Sequence, residues 1–338
     1  MLRKQKGKHS YIFESAPKIT AWASVAGKKE AEGPLNNYFD QVSGDTMFGQ
    51  STWEQAESMM QKTAIDHLLN KAGIQENQID CVFSCDLLNQ CIGSAFTLKN
   101  KGISQFGLYG ACSTMSESML LAAMAVDGGF ANRAIALTSS HFASAERQYR
   151  FPLGYGGQRT PTSQWTVTGS GALLIEPTGY GPEIRSCTVG SVVDLGIKDA
   201  NNMGAAMAPA AYSTIKMHLQ DLNLQPSDYD LIVTGDLGRV GSDVLRTLAA
   251  KEGLILDSNL VDCGTLVFDL QSQDVHAGGS GCGCSAIVLC GYLLDLIVKR
   301  KIKRLLFCGT GALMSPTSTQ QGMPIPGVCH AVCIESEA

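Results

Sequence analysis

The chain has 338 residues, of which 44% are apolar, 17% charged and 7% aromatic, and its formal net charge is −5. This length and composition exclude a disordered chain and predict a globular protein made of two domains or one large doubled unit. Because a mildly acidic chain has no general positive field, nucleic acid is not expected as a partner.

The chain begins with a basic segment, Arg3 to Lys8, in which four residues are Lys or Arg. Such a segment is typical of a solvated terminus, although it could also contact an anionic membrane surface. No secretory signal is recognisable here, and the longest apolar run, residues 286–298, contains Asp295 and is too short to span a bilayer. We therefore predict neither a signal peptide nor a transmembrane segment.

Two segments of the chain resemble each other at a constant offset of 150 residues. Residues 63–88 and 213–238 each have the pattern of an amphipathic helix, a polar turn and a buried strand flanked by aspartates. The identities are Ile65/Ile215, Leu69/Leu219, Gln75/Gln225, Asp80/Asp230, Asp86/Asp236 and Leu87/Leu237. At an offset of 171, residues 110–140 and 281–311 each read as a glycine-rich turn, an apolar helix and a strand.

These repeats predict the order of elements in two similar halves. The predicted strands are 81–84, 106–109, 134–138 and 171–175 in the first half, and 231–234, 304–308 and 328–334 in the second. Helices between apolar strands favour parallel βαβ units covered by helices on both faces. We therefore predict an α/β protein with two pseudo-symmetric βαβαβ halves, residues 1–180 and 181–338.

Twelve cysteines are spread along the chain without a CxxC pair, and most lie among Val, Ile and Leu. They are too sparse for a disulfide scaffold, and buried reduced thiols explain them better than zinc does. We predict no metal site and no cofactor.

One cysteine, Cys112, has a distinctive position in the glycine-rich turn before the predicted helix 119–126. A thiol there would face the positive end of the helix dipole and free backbone N–H groups, which lower its pKa and stabilise an oxyanion. The alternative is a buried structural cysteine. The equivalent turn of the second half holds His276, Gly279 and Ser280, and pseudo-twofold symmetry would bring both turns to one central site.

Two further features near these turns allow more than one interpretation. His276 is either a site residue or a packed imidazole bonded to backbone. The segment Gly309 to Gly311, which includes Thr310, either lines the same site or is a simple turn after its strand.

The doubled halves, the turn Gly110 to Cys112, the run Thr168 to Ala172, the loop at Gly279 and the segment Gly309 to Gly311 resemble the thiolase and ketoacyl synthase III superfamily. The resemblance covers nearly the whole chain and implies a thiolase-like fold in α-β-α-β-α layers. It also implies a homodimer paired through the central sheet. Within the superfamily, the chain resembles a family of sporulation proteins of endospore-forming bacteria, from the basic terminus through residues 150–156 to the C-terminal Gly-Thr-Gly.

The chain departs from the superfamily where a condensing enzyme needs a His and an Asn beside the nucleophilic Cys. Asp236 occupies the region of the first histidine, and Gly278 replaces the asparagine. An ionised carboxylate cannot donate a hydrogen bond to an oxyanion, and glycine has no side chain. A thiolase-like alternative, with His276 as general base for Cys112 and Cys308 near the second cysteine position, stays open.

The resemblance to sporulation proteins implies a ligand, dipicolinic acid, possibly with calcium that arrives already chelated. It also implies other membrane proteins of the same stage V sporulation operon as partners, at the spore inner (forespore) membrane. A flat dianion needs donors rather than a nucleophile. The candidate ligand-binding residues are Cys112, Ser113, His276, Gly279, Ser280, Thr310, Arg150 and Arg159.

From this resemblance we expect a non-catalytic protein that binds dipicolinate for uptake into the spore, with Cys112 as a vestigial nucleophile. The alternatives are an acyltransferase or condensing enzyme that uses Cys112 with His276, and a structural scaffold of the membrane complex.

Overall fold

A computed structural model describes residues 4–150, 159–256 and 259–337, without the side chain of Arg150. The strands are β1 (Gln5–Lys6), β2 (Ser10–Ile12), β3 (Lys18–Ala26), β4 (Gln41–Val42), β5 (Cys81–Cys85), β6 (Ser104–Gly107), β7 (Ala134–Ser140), β8 (Trp165–Thr166), β9 (Gly169–Glu176), β10 (Glu183–Thr188), β11 (Leu231–Thr234), β12 (Leu260–Asp262), β13 (Gly279–Ser280), β14 (Arg304–Ala312) and β15 (Gly327–Glu335). The helices are α1 (Lys28–Ala31), α2 (Trp53–Ala72), α3 (Ile92–Leu98), α4 (Thr114–Asp127), α5 (Phe142–Arg150), α6 (Met203–Leu222), α7 (Gly238–Lys251), α8 (Cys263–Leu266), α9 (Cys282–Val288), α10 (Leu294–Val298) and α11 (Pro316–Gln320).

The main strands form one mixed sheet in the order β12-β11-β14-β15-β10-β3-β9-β7-β5-β6. The order is symmetric about the β10–β3 junction, because each strand of one half has a counterpart at the mirrored place in the other. Strands β5 and β11 pair in parallel with β7 and β14, while β9 and β15 pair antiparallel to those same neighbours. The predicted pseudo-symmetric α/β architecture is confirmed.

The two long outer helices have similar capping residues at both ends. Helices α2 and α6 begin and end at positions that differ by 150 residues. Thr52 and Asn202 cap their first turns through side-chain oxygens, and Gly73 and Asn223 end them in the left-handed conformation. The same start and stop chemistry therefore recurs in both halves.

Three apolar clusters define the layers. A central cluster packs α4 and the continuous helix α9–α10, joined by the π-helical turn Leu289–Leu293, between the two halves of the sheet. A second cluster lies under α2, and a third lies under α6 and α7. This is the α-β-α-β-α layering, and it places the N-termini of α4 and α9 in the middle of the molecule.

Some element bounds differ from the sequence predictions. Strand β6 is Ser104–Gly107, two residues earlier than predicted, and α4 begins at Thr114. Strand β14 continues to Ala312, so Gly309 to Gly311 is not a turn: these residues pair with His330, Cys329 and Val328 of β15. The antiparallel partner supplies hydrogen bonds that hold a glycine-rich segment extended.

The boundary drawn at residue 180 falls in the turn between β9 and β10 and stays a prediction. All twelve cysteines are buried and free. Among the described residues, no helix is long and apolar enough to cross a membrane.

Candidate functional site

The site forms where the two halves meet, around the thiol of Cys112. A short 3-10 turn, Ala111–Ser113, leads into α4, and Ala111 adopts a left-handed φ of 54° that turns the chain sharply before the cysteine. Cys112 is 6% exposed. The predicted position at the N-terminal end of a long helix is thus present, but the thiol is almost fully removed from water.

The polar groups beside this thiol are the Asp236 carboxyl group and the Gly281 N–H. Asp236 follows β11, and its carboxylate accepts a hydrogen bond from the thiol of Cys112. Its Oδ2 accepts from the Gly281 N–H at 2.9 Å, and its Oδ1 accepts from the Thr310 hydroxyl at 2.8 Å. Asp236 therefore joins the turn of the first half to the turn and strand β14 of the second.

The electrostatics of this pair differ from the sequence prediction. Burial, together with the neighbouring Asp236 carboxylate, raises the pKa of the Cys112 thiol well above its usual value. Burial raises the pKa of Asp236 from 3.8 to about 7, against the hydrogen bonds that it accepts. The prediction that the helix dipole lowers the pKa of Cys112 was wrong, because loss of solvation and an adjacent carboxylate outweigh it. At neutral pH the thiol stays protonated.

A narrow cavity of about 40 Å³ opens beside Cys112. Such a volume holds about three water molecules. Its lining residues are Leu87, Ala111, Cys112, Ala145, Tyr149, Thr166, Met203, Ser280, Ala312 and Met314. The walls are thus mostly apolar, with hydroxyl groups at Thr166, Ser280 and Tyr149, and no Lys or Arg is among these lining residues.

The structure brings some predicted site residues together with Cys112. Ser280 lines the cavity and Thr310 lies behind it, bonded to Asp236. The Oγ of Ser113 donates to the Gly110 carbonyl, and Gly279 accepts through its carbonyl from Gln164. These last contacts are internal to the protein and shape the turns around the cavity.

Other predicted residues lie elsewhere. The Nε2 of His276 is 3.4 Å from Asp274, and His276 is not among the residues that line the Cys112 cavity. Arg159 binds the same Asp274 at 2.7 Å and stacks over the Trp165 ring. The side chain of Arg150 and residues 151–156 lie outside the described residues. Sequence reasoning placed His276 at the centre because it could not show which way its loop turns.

Sequence reasoning missed several cavity residues. Tyr149, Met203 and Met314 come from segments far apart in the chain, and no local motif marks them. Asp236 could have been singled out from the sequence, because it is one of the identities between the repeats. Its contact with Cys112, however, depends on the fold. Among the described residues, no cluster of three or more His, Cys, Asp or Glu side chains is arranged to hold a metal ion.

Solved structures with a similar fold define the class. The chain matches 3-oxoacyl-[acyl-carrier-protein] synthase III from Aquifex aeolicus with a TM-score of 0.58 and 14% identity, over 94% of this chain and 99% of that one. It matches the OleA E117D variant from Xanthomonas campestris with a TM-score of 0.62 and 15% identity, over 96% and 97% of the two chains. At this identity the likeness shows the fold alone, which is that of the thiolase and ketoacyl synthase III enzymes.

Sequence relatives specify the family within that class. The sequence profile of stage V sporulation protein AD matches residues 7–335. Stage V sporulation protein AD of Bacillus subtilis (strain 168) is 43% identical over 332 residues, which cover 98% of each chain. The chain therefore belongs to the stage V sporulation protein AD family.

Proposed function

We propose that this protein is a non-catalytic member of its fold class that binds dipicolinic acid, or its calcium chelate, beside Cys112 for uptake into the developing spore. The contact between Cys112 and Asp236 carries the proposal that the site is catalytically silent. A nucleophilic cysteine needs to lose its proton, and here burial, together with the adjacent carboxylate, raises the pKa of the thiol.

The surroundings of Cys112 support the same conclusion. Gly278, where the condensing enzymes that the chain resembles have an asparagine, brings no side chain. His276 faces Asp274 rather than the cavity, so it does not supply the missing base. These features favour a binding site over either the condensing arrangement or its thiolase-like alternative.

The character of the cavity favours one form of the ligand. Its walls include the flat ring of Tyr149 and the flexible side chains of Met203 and Met314. A doubly negative ligand without a cation is costly to bury in apolar surroundings, whereas a one-to-one calcium chelate of dipicolinate has no net charge. We therefore expect the chelate to bind more tightly than the free dianion. Because the cavity is small, binding requires the two methionines to move.

Calorimetry of the full chain tests this proposal. Dipicolinate, with and without equimolar calcium, should give a saturable heat from the Cys112 cavity, and Met314→Trp should raise the Kd of that cavity at least about tenfold by filling it. Met323→Trp is the matched control, because Met323 is 54% exposed and does not line this cavity. Absence of binding by the wild-type chain would overturn the proposal.

The enzyme and scaffold alternatives give different results. Acyl transfer predicts a thioester on Cys112 after incubation with acyl-CoA, detected as a mass increase that Cys112→Ala removes. A scaffold predicts neither acylation nor ligand binding, with uptake unaffected when the cavity is filled. We expect no acylation, and loss of uptake in the Met314→Trp variant.

We also propose that the protein forms a homodimer through β6. This edge strand pairs with β5 on one side, and all four of its residues are exposed. Phe106 is 53% exposed and stacks on Phe83, and Phe96 is exposed to the same extent. Exposed apolar edge strands are usually covered by a partner. Sedimentation should show a dimer that Phe106→Asp dissociates, while Phe130→Asp, at an 89% exposed site, leaves it intact.

Peripheral association with the spore inner membrane, through other proteins of the stage V sporulation A operon, is the remaining part of the proposal. Lys6 and Lys8 are exposed in the β1–β2 hairpin, which Asp221 holds by accepting from the His9 and Ser10 N–H groups. Two lysines add only weak attraction to an anionic surface. We therefore expect the full chain to sediment with vesicles only when its membrane partners are present.

A further inference from the structure

A second cavity, which we name the outer cleft, has a different character from the one beside Cys112. It measures about 240 Å³, and Lys28, Lys29, Glu30, Trp53, Phe142 and Trp165 are among its lining residues. These residues come from α1 and from the starts of α2 and α5, with Trp165 from β8. The outer cleft thus combines aromatic and cationic side chains, which the Cys112 cavity does not.

The aromatic side chains form an ordered wall. The rings of Phe142 and Trp165 stack with centroids 4.0 Å apart and planes 12° from parallel. The Lys29 ammonium lies 4.3 Å from the Trp165 centroid, a cation–π contact that holds the lysine at the wall. Trp53 and Phe142 are both half-buried and keep part of their surface open to the cleft. Because cations already lie over the Trp165 and Trp53 rings, a flat ring would pack edge-to-face against the open parts of Trp53 and Phe142.

Glu30 gives the cleft a buried carboxyl group with one unpaired oxygen. It is 1% exposed, and its Oε1 accepts from the Thr168 N–H at 3.0 Å. Its Oε2 is buried with no hydrogen-bond partner among the described residues. Burial raises the pKa of Glu30 to about 7, so at neutral pH a large fraction carries a proton that it can donate.

These features together specify a class of ligand. An aromatic wall selects a planar ring, and the ammonium groups of Lys28 and Lys29 attract a carboxylate, to which a protonated Glu30 can also donate. A buried polar atom that is left unpaired is costly, and a ligand in the cleft would remove that cost. We propose that the outer cleft is a second binding site, which takes a planar aromatic carboxylate.

The two cavities share a wall, which makes the second site functionally relevant. In β8, Trp165 lines the outer cleft and the next residue, Thr166, lines the Cys112 cavity, because successive strand residues face opposite sides. In α5, Phe142 lines the outer cleft while Ala145 and Tyr149 line the Cys112 cavity. A ligand in the outer cleft therefore packs against the elements that shape the inner cavity. The inference goes beyond the proposed function and does not depend on it.

Tryptophan fluorescence separates the two sites, because two of the three tryptophans of the chain line the outer cleft and none lines the Cys112 cavity. Dipicolinate is the probe, added to the full chain. We expect saturable quenching, with an apparent Kd that rises at least about tenfold in the double variant Lys28→Ala/Lys29→Ala, since each removes a charge-assisted bond. The control Lys299→Ala/Lys301→Ala removes two lysines remote from the cleft and should leave quenching unchanged.

Two further arms make the result decisive. Glutarate, a dicarboxylate without a ring, should compete with dipicolinate at least about tenfold less well than benzoate does. Met314→Trp is followed by calorimetry and should keep the heat of the outer cleft, so failure at the inner cavity and failure at the outer one are distinguishable. No saturable quenching, quenching unchanged in the Lys28→Ala/Lys29→Ala variant, or equal competition by glutarate would each overturn the proposal.

Discussion

The two halves of the molecule keep one pair of aspartates in the same role and use another pair differently. Asp80 Oδ2 accepts from the N–H groups of Asn132 and Arg133 at 2.7 and 2.9 Å. Its counterpart Asp230 accepts from Lys303 and Arg304 at the same two distances. Each carboxylate thereby fixes the start of the neighbouring strand, so this identity between the repeats is structural.

The second pair has diverged. Asp86 accepts from the N–H groups of Leu88 and Ser94, within its own half. Asp236 accepts from Gly281 and Thr310 in its own half and from the thiol of Cys112 in the other half. The same residue type at equivalent strand ends thus stabilises a local turn in one half and contacts the Cys112 thiol in the other.

The largest expected effect comes from truncating the diverged pair. Asp236→Ala removes the acceptor of the Gly281 N–H and of the Thr310 O–H in the interior, while the Thr310 oxygen still accepts from the backbone N–H of position 236. Asp86→Ala leaves the Leu88 and Ser94 N–H groups unpaired. Each should lower the free energy of unfolding by about 2–4 kcal/mol, measured by urea denaturation. The asparagine variants keep an acceptor oxygen and should lose less. If only one of the two alanine variants lowered the free energy of unfolding, the two carboxylates would not contribute equally to stability.

The pH dependence of stability gives a smaller effect. The pKa of Asp236 is about 7 in the folded protein and 3.8 in its usual state, so the folded chain binds this proton more tightly than the unfolded chain. Its contribution is therefore fully present at acidic pH and is lost as the pH rises through about 7. Asp236→Asn should reduce the fall in unfolding free energy per pH unit by up to about 1.4 kcal/mol. An unchanged slope in denaturation at several pH values would contradict the raised pKa.

The smallest effect is expected at Asp80 and Asp230, the pair of aspartates with the same role in both halves. Asp80→Ala and Asp230→Ala each remove two hydrogen bonds at partly solvated backbone groups, which water can replace. Each should cost about 1 kcal/mol, equally within error, in thermal or chemical unfolding. A marked inequality would mean that the two halves do not use this aspartate in the same way.

Features set by local sequence could be predicted, whereas features that depend on tertiary packing could not. The repeat at an offset of 150 predicted α2, α6, β5 and β11, because an amphipathic period and a run of apolar residues are local properties. The antiparallel pairing that keeps Gly309 to Gly311 in β14 is not local, so the sequence left open whether this segment lines the site or forms a simple turn. The direction of His276 and the convergence of Tyr149, Met203 and Met314 on one cavity depend on tertiary packing. The lowered pKa expected for the Cys112 thiol was wrong for the same reason, because its burial and its contact with Asp236 are properties of the fold.

We propose that burial, together with Asp236, keeps the Cys112 thiol protonated and unreactive. The direct measurement is the rate of Cys112 alkylation by iodoacetamide as a function of pH, followed by peptide mass in the wild type, Asp236→Asn and Asp86→Asn. Removal of the adjacent negative charge should lower the pKa of the thiol and accelerate alkylation at neutral pH by about tenfold or more in Asp236→Asn, with no change in Asp86→Asn. Rapid alkylation of the wild type at neutral pH, or equal rates in all three proteins, would contradict the account.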